Sequence, residues 1–231
     1  MNEERQPSPA LVEYVRALNA AGGAYHHLDF GQGVILRGQY DMRRFVGYYD
    51  IPPDLTGQRV LDIGTSTGYF AFECARRGAE VVAVDIWEET PVGTIAPMLG
   101  LPIRYVRHSI YDLNSDFGQF DLVVCGSLLL HLPEPFGAVQ RIKSVCRGRA
   151  TVSTACVPDS RTNPEPVCRF YGRKASDGDY WVYWALGQEA LKRMFLAAGF
   201  SRIGHVDHFL LETSPGWNKH TVDHVVMTAH V

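Results

Sequence analysis

Val60-Leu61-Asp62-Ile63-Gly64-Thr65-Ser66-Thr67-Gly68-Tyr69-Phe70 decides the fold. An apolar run of strand length enters a turn with two glycines four apart and leaves it as the start of a helix. In an open parallel sheet such a turn stands at the carboxyl edge of a strand, where ligands bind. Gly64 lets the backbone approach a ligand closely, and Gly68 lets the helix pack on the strand. The spacing is GxxxG, not the GxGxxG of dinucleotide sites, and the Lys-Ser/Thr of a phosphate-binding loop is missing. A ligand without a pyrophosphate is expected.

Working outward, a helix from Tyr69 to Arg77 closes at Gly78, and a strand from Glu80 to Val84 ends in Asp85. Further strands are expected at Ile103 to Arg107, Phe120 to Cys125 and Ala150 to Cys156, with a helix from Pro135 to Val145 before the last of these. Residues 157–184 read as a long connection rich in Pro, Gly, Asp and aromatics. A helix from Gln188 to Ala198 ends at Gly199, and the apolar runs Gly204 to Glu212 and Asp223 to Val231 suggest a closing hairpin. Upstream, Leu11, Tyr14, Val15 and Leu18 recur at helical spacing from Pro9, and Gly22-Gly23 ends that run. The expected class is α/β, a doubly wound, mostly parallel sheet of seven strands with helices on both faces and an antiparallel terminal pair. Pro52-Pro53 marks a boundary, so residues 1–50 are read as a small helical lid and residues 51–231 as the ligand-binding domain.

The chain of 231 residues is 46% apolar and 20% charged, an ordinary globular balance. Its 22 basic and 25 acidic residues give a net charge of -3, which weighs against broad nucleic-acid binding. Five scattered cysteines without a CxxC pair suit a reducing compartment. The polar start is no secretory signal, and no stretch approaches the ~20 apolar residues of a membrane span. A soluble, cytoplasmic protein, monomer or homodimer, is expected. His220, His224 and His230 stand at spacings that suit metal binding from one strand poorly, so no metal is assigned.

Acids follow the strand ends. Asp85 can accept two hydrogen bonds from a ribose diol, Asp62 can hold an ammonium group directly or through water, and Asp112 can meet an adenine amino group. Taken singly, each glycine is as consistent with a plain tight turn and each aspartate with a helix cap. Four such features in register on successive strand ends point to one ligand. Trp87, two residues beyond Asp85, is placed to stack near the adenine.

VLDIGTSTGYFAFECARRGAEVVAVD resembles the first and second motifs of class I S-adenosylmethionine (SAM) dependent methyltransferases, and FDLVVCGSLLLHLPEP resembles their fourth. The likeness covers about residues 55–231 and is nearest to the branch around tRNA wobble-uridine methyl- and carboxymethyl-transferases and their small-molecule relatives. Gly68-Tyr69-Phe70-Ala71-Phe72, Leu130-His131-Leu132, the cluster Tyr180-Trp181-Val182-Tyr183-Trp184 and the helix Ala190 to Phe200 carry it, with Tyr25-His26-His27-Leu28-Asp29-Phe30-Gly31 upstream. The resemblance implies a SAM cofactor, with S-adenosylhomocysteine (SAH) as product. The implied contacts are Asp62, Gly64, Thr65, Ser66, Gly68, Asp85, Ile86, Trp87, Ile110, Tyr111, Asp112 and Gly126. In the carboxymethyl-transferring members a tyrosine precedes the histidine of the fourth motif and a lysine stands in the N-terminal region. Here Leu130 occupies the first position, and the first lysine of the chain is Lys143. Plain SAM is therefore expected over carboxy-SAM, and, with no match to the larger N-terminal part of the tRNA enzymes, a small substrate over tRNA.

A sulfonium methyl is already electrophilic, so the protein's work is alignment of a nucleophile and removal of a proton. His131, after a strand end, is the first candidate for general base, with helix-start packing as its other reading. His27 and Asp29 on the lid are further catalytic candidates. Tyr25, Arg43, Trp181, Tyr183 and Trp184 are candidate substrate contacts, the aromatics as a wall and Arg43 as partner for an acidic group. Methyl transfer to an O or N atom of a small, aromatic or heterocyclic metabolite is the expected reaction. Its rivals are modification of a wobble uridine and SAM binding without transfer.

Overall fold

The computed structural model describes residues 6–175 and 181–231. Seven strands form the central sheet: β1 Arg59–Ile63, β2 Glu80–Asp85, β3 Ile103–Arg107, β4 Phe120–Gly126, β5 Cys146–Ala155, β6 Arg202–Glu212 and β7 Thr221–His230. Their spatial order is β3-β2-β1-β4-β5-β7-β6, parallel except for β7, which runs antiparallel to both β5 and β6. The order reverses direction between β1 and β4. That reversal opens a crevice outside the carboxyl ends of these two strands. The expected sheet, with its antiparallel terminal pair, is the one observed.

The helices are α1 Pro9–Ala20, α2 Tyr69–Arg76, α3 Pro91–Leu99, α4 Pro135–Val145 and α5 Gln188–Ala197. Successive residues of β1 feed opposite cores, as a pleated strand requires. Val60 packs with α1, α2, α3 and residues 28–55, whereas Leu61 and Ile63 pack with α4 and α5. Buried on both faces, β1 reads as a continuous apolar run broken only by Asp62. Ser8 caps α1, its hydroxyl accepting from Leu11 N at 3.2 Å, with Pro9 in the first turn.

Two features depart from the sequence-based reading. Helix α3 is absent from it, because Pro91 and Pro97 within nine residues obscure a helical pattern; Pro91 sits in the first turn, where its missing N–H costs nothing. The long connection after residue 157 contains an antiparallel hairpin, Cys168–Ala175 with Trp181–Leu186. Residues 24–49 form a strap of short strands and single helical turns: Ala24–His26 pairs with Gly38–Tyr40, and Leu28–Asp29 with Ile35–Leu36. The strap shares one core with α2. Phe30 meets Phe72 edge-on, and Tyr49 packs on Phe70 with ring centroids 4.5 Å apart.

Candidate active site

The glycine turn joins β1 to α2 at the point where the strand order reverses. Gly64 and Gly68 both have positive φ, +72° and +98°, which strongly favours glycine. A Cβ on Gly68 would lie 2.6 Å from Val92 Cβ, so α2 and α3 close together there only because the side chain is missing. Ser66, between them, also takes a left-handed φ of +49°.

Two acids wire the turn. Asp62 is buried, and its Oδ2 accepts from Thr65 Oγ1 at 2.7 Å and from Ala71 N at 3.1 Å. Burial nevertheless pushes its carboxyl up to about 7, against the pull of those two donors. Such a group favours a cationic neighbour. Asp85, half-buried at the end of β2, reaches across to accept from Ser66 N at 2.8 Å through Oδ2, while Oδ1 accepts from Ile86 N at 2.7 Å. The strap is tied to the same turn, since His26 N donates to Thr67 Oγ1 at 3.1 Å.

The remaining expected cofactor contacts divide. Ile86 and Trp87 are exposed beside Asp85, 59% and 64%, as an open rim. Ile110 is buried, Asp112 is exposed on the same single turn after β3, and Tyr111 turns toward α4, where its hydroxyl accepts from Glu134 N at 3.1 Å. Gly126 ends β4 against Phe70, which a Cβ would meet at 2.6 Å.

His131 closes the single turn Leu129–His131, half-buried, and a proton on it opposes protonation of His224. Trp184 anchors the hairpin above that turn, donating from Nε1 to Pro133 O at 3.1 Å and packing on Phe170 at 4.7 Å. Tyr183 is half-buried on the same strand, and the side chain of Trp181 lies outside the described residues. Tyr25 packs against His26 and Tyr40. The other lid residues turn elsewhere. Arg43 is held by Asp41 at 2.7 Å and Asp29 at 3.3 Å, in an exposed cluster where Asp29 also accepts from Gly31 N. Asp29 stands beside α2, where Arg76 reaches its carbonyl. His27 lines a separate cleft with Arg37 and Trp217.

A chain of buried polar groups under the end of β4 escaped the sequence reading. Tyr49 OH and Ser153 Oγ lie 2.7 Å apart, Ser127 N donates to Ser153 Oγ at 3.1 Å, and Ser127 Oγ lies 3.0 Å from His224 Nε2. The signal available was the position of Ser127, directly after Gly126 in the fourth-motif segment; nothing in the sequence pairs it with His224.

Residues 61–153 match the family profile described as a methyltransferase domain. A ubiquinone biosynthesis O-methyltransferase of Aeromonas salmonicida is 34% identical over 106 residues, 43% of this chain and 44% of that protein. The Escherichia coli protein of the same name is 26% identical over 143 residues, 61% of this chain and 52% of the relative. The chain thus spans about half the length, or less, of these curated relatives. Among solved structures, the N-terminal domain of EvdMO1 with SAH bound superposes with a TM-score of 0.68 at 18% identity, covering 95% of this chain and 96% of that one. The 1,6-didemethyltoxoflavin-N1-methyltransferase of Burkholderia thailandensis, with 1,6-didemethyltoxoflavin and S-adenosylhomocysteine bound, gives 0.58 at 24% identity, over 76% and 71%. These likenesses show the fold: a Rossmann-like sheet of the class I methyltransferase type.

Proposed function

We propose that this chain is a SAM-dependent methyltransferase acting on an O or N atom of a small metabolite. The observation that carries the reading is the wiring of the glycine turn at the strand-order reversal, with Asp62 beneath it and Asp85 across from it. The residues fit the cofactor on two counts. The carboxyl of Asp62, pushed up to about 7 by burial, gains from an ammonium group. Gly64, at a left-handed φ of +72°, turns the backbone at the crevice with no side chain to project there. Asp62 would hold the amino acid end of the cofactor, Asp85 the ribose hydroxyls, and Ile86, Trp87, Ile110 and Asp112 the adenine. SAM supplies an electrophilic methyl on a sulfonium.

The chain's own work is to align the acceptor and to take its proton, the role assigned to His131 on the turn after β4. Trp184 and Tyr183 on the hairpin wall the acceptor side. The strap, tethered through His26 to Thr67, serves as the cap. A small acceptor is favoured over tRNA by the net charge of -3, and plain SAM over carboxy-SAM by Leu130 in place of a carboxylate-holding tyrosine. The O- and N-methyltransferases among the similar proteins are consistent with that choice. All five thiols are unpaired, which supports a reducing, cytoplasmic setting. No helix among the described residues is long and apolar enough to cross a membrane.

Calorimetric titration with SAH, followed by methyl-transfer assays on small phenols, N-heterocycles and bulk tRNA, tests the reading. Micromolar binding with transfer to a small acceptor is expected. Absence of SAH binding removes the methyltransferase reading, transfer to tRNA replaces the acceptor class, and binding without transfer to any acceptor replaces catalysis by SAM sensing.

A further inference from the structure

Beside the strap lies a cleft of about 490 Å³ that none of the assignments above uses. It forms where the end of α1, the strap and the β6–β7 loop converge, with His27, Arg37, Arg44, Asp41, Ser214 and Trp217 among its walls. Backbone bonds fix the walls: Ser214 N donates to Gln39 O at 2.7 Å and Ala24 N to Arg37 O at 2.9 Å. Gly23 (φ +89°) permits their approach, since a Cβ there would lie 2.6 Å from Arg37 O and 3.3 Å from Trp217 Cζ2.

Three properties define what the cleft can take. First, the lining holds two guanidinium groups and one acid. That acid, Asp41, is bound to Arg43 at 2.7 and 2.8 Å, so it does not compete for the lining guanidinium groups. Second, the cations are available. Arg44 is bound to Glu212 at 3.0 Å in an exposed pair, which exchanges readily for a better partner. Arg37 gives one nitrogen to Asn19 O, and a guanidinium has five N–H donors. Third, Trp217, half-buried, offers an aromatic wall, and the volume is that of a small-metabolite site.

We propose that this cleft is a second binding site, for a small flat organic carboxylate held by Arg37 and Arg44 against Trp217. None of the residues lining it is among those assigned to the cofactor. Thr67 of the glycine turn meets the strand Ala24–His26 at the His26 amide, whereas Gly38–Tyr40, next to the cleft, pairs with that strand in register.

The test is an NMR titration of the ¹⁵N-labelled full chain with benzoate, its neutral counterpart benzamide, and inorganic phosphate, each with and without SAH. Benzoate is expected to shift the Ser214 amide and the Trp217 indole saturably, at least tenfold more tightly than benzamide or phosphate, and to the same extent with SAH present. Arg44→Ala should weaken benzoate about tenfold, and Glu212→Gln, which releases Arg44, should tighten it. Equal affinity for benzamide removes the anion requirement, equal affinity for phosphate removes the flat body, and competition by SAH puts the ligand in the cofactor crevice; each overturns the proposal, as does the absence of any benzoate shift. Benzoate binding in a chain that fails to bind SAH leaves this site standing while the methyltransferase reading falls.

Discussion

Ser127 Oγ lies 3.0 Å from His224 Nε2, while His224 Nδ1 lies 3.0 Å from the carbonyl of Val222. A carbonyl only accepts, so Nδ1 carries the proton and Nε2 accepts from the Ser127 hydroxyl. The histidine is buried, stacked on Phe209 at 5.3 Å, and burial holds it neutral by lowering its pKa to about 4. The pair pins Ser127, which takes a left-handed φ of +52° at the end of β4. Ser127→Ala leaves a buried imidazole nitrogen without its donor and should cost about 1–3 kcal/mol in urea unfolding. In a His224→Phe background, where no imidazole awaits a donor, Ser127→Ala should lose less. Equal losses in the two backgrounds would show that the hydrogen bond contributes nothing.

The two buried histidines make stability fall in mild acid. His26 is lowered to about 3 and His224 to about 4, both by burial, from an ordinary 6.5. Below pH 6.5 the unfolded chain takes protons that the folded chain refuses, so their contribution is complete above 6.5 and declines as pH falls toward 4. Asp62 opposes them. Its folded value near 7 lies above the ordinary 3.8, so the folded chain takes a proton as pH falls and gains stability. Two groups against one leave a net loss between pH 6.5 and 4. Thermal melts across that range should show Tm falling, and a flat profile would mean that the histidines are hydrated.

Asp62→Asn separates stability from ligand binding. The cost of ionising the buried carboxyl develops between pH 3.8 and about 7 and is constant above. The variant should therefore match the wild type near pH 4 and exceed it by on the order of 2–4 kcal/mol at pH 8. An asparagine oxygen still accepts from Thr65 and Ala71. Its affinity for SAH should fall at least tenfold, because the negative charge beneath the ammonium is gone. A variant that is both more stable and equally avid would remove Asp62 from the site.

Local pattern fixes what is legible in a single sequence. The strand at Arg59 to Ile63, the helix at Pro135 to Val145 and the strand at Ile103 to Arg107 have the observed bounds, because apolar period and glycine or proline punctuation coincide there. The acids of that sheet edge follow from the same pattern: Asp62 is next to last in β1, Asp85 is last in β2 and Asp112 stands on the turn after β3. Helix α3 is hidden by its prolines, and the hairpin after residue 157 by an unbroken mixture of polar and aromatic residues. The Ser127–His224 pair is set by the register in which β7 enters between β5 and β6, a contact between residues far apart in the chain. Arg43 had the right chemistry for a substrate anion, yet the nearer Asp41 claims it.

Asp85→Asn keeps the shape of the turn and discards its charge. The amide oxygen can still accept one backbone N–H, so the fold should survive, with Tm within a few degrees of the wild type. The loss falls on the ribose diol, for which a charged acceptor contributes about 1–3 kcal/mol more than a neutral amide. SAH affinity should drop about 5- to 150-fold by calorimetry. Undiminished affinity would mean that Asp85 serves the Ser66 and Ile86 amides alone.

His131→Ala distinguishes a base from a packing residue. The imidazole stands on the turn after β4, against which the hairpin is anchored by Trp184. If it removes the acceptor's proton, kcat should fall about 10²- to 10⁴-fold while SAH affinity stays within twofold. An acceptor of lower pKa, already ionised at neutral pH, should recover most of that loss, because no proton then needs to leave. A variant that loses rate equally on both acceptors would reduce His131 to a scaffold for the turn. A loss below tenfold on both would pass the base role to another group, or leave the acceptor to shed its proton to water.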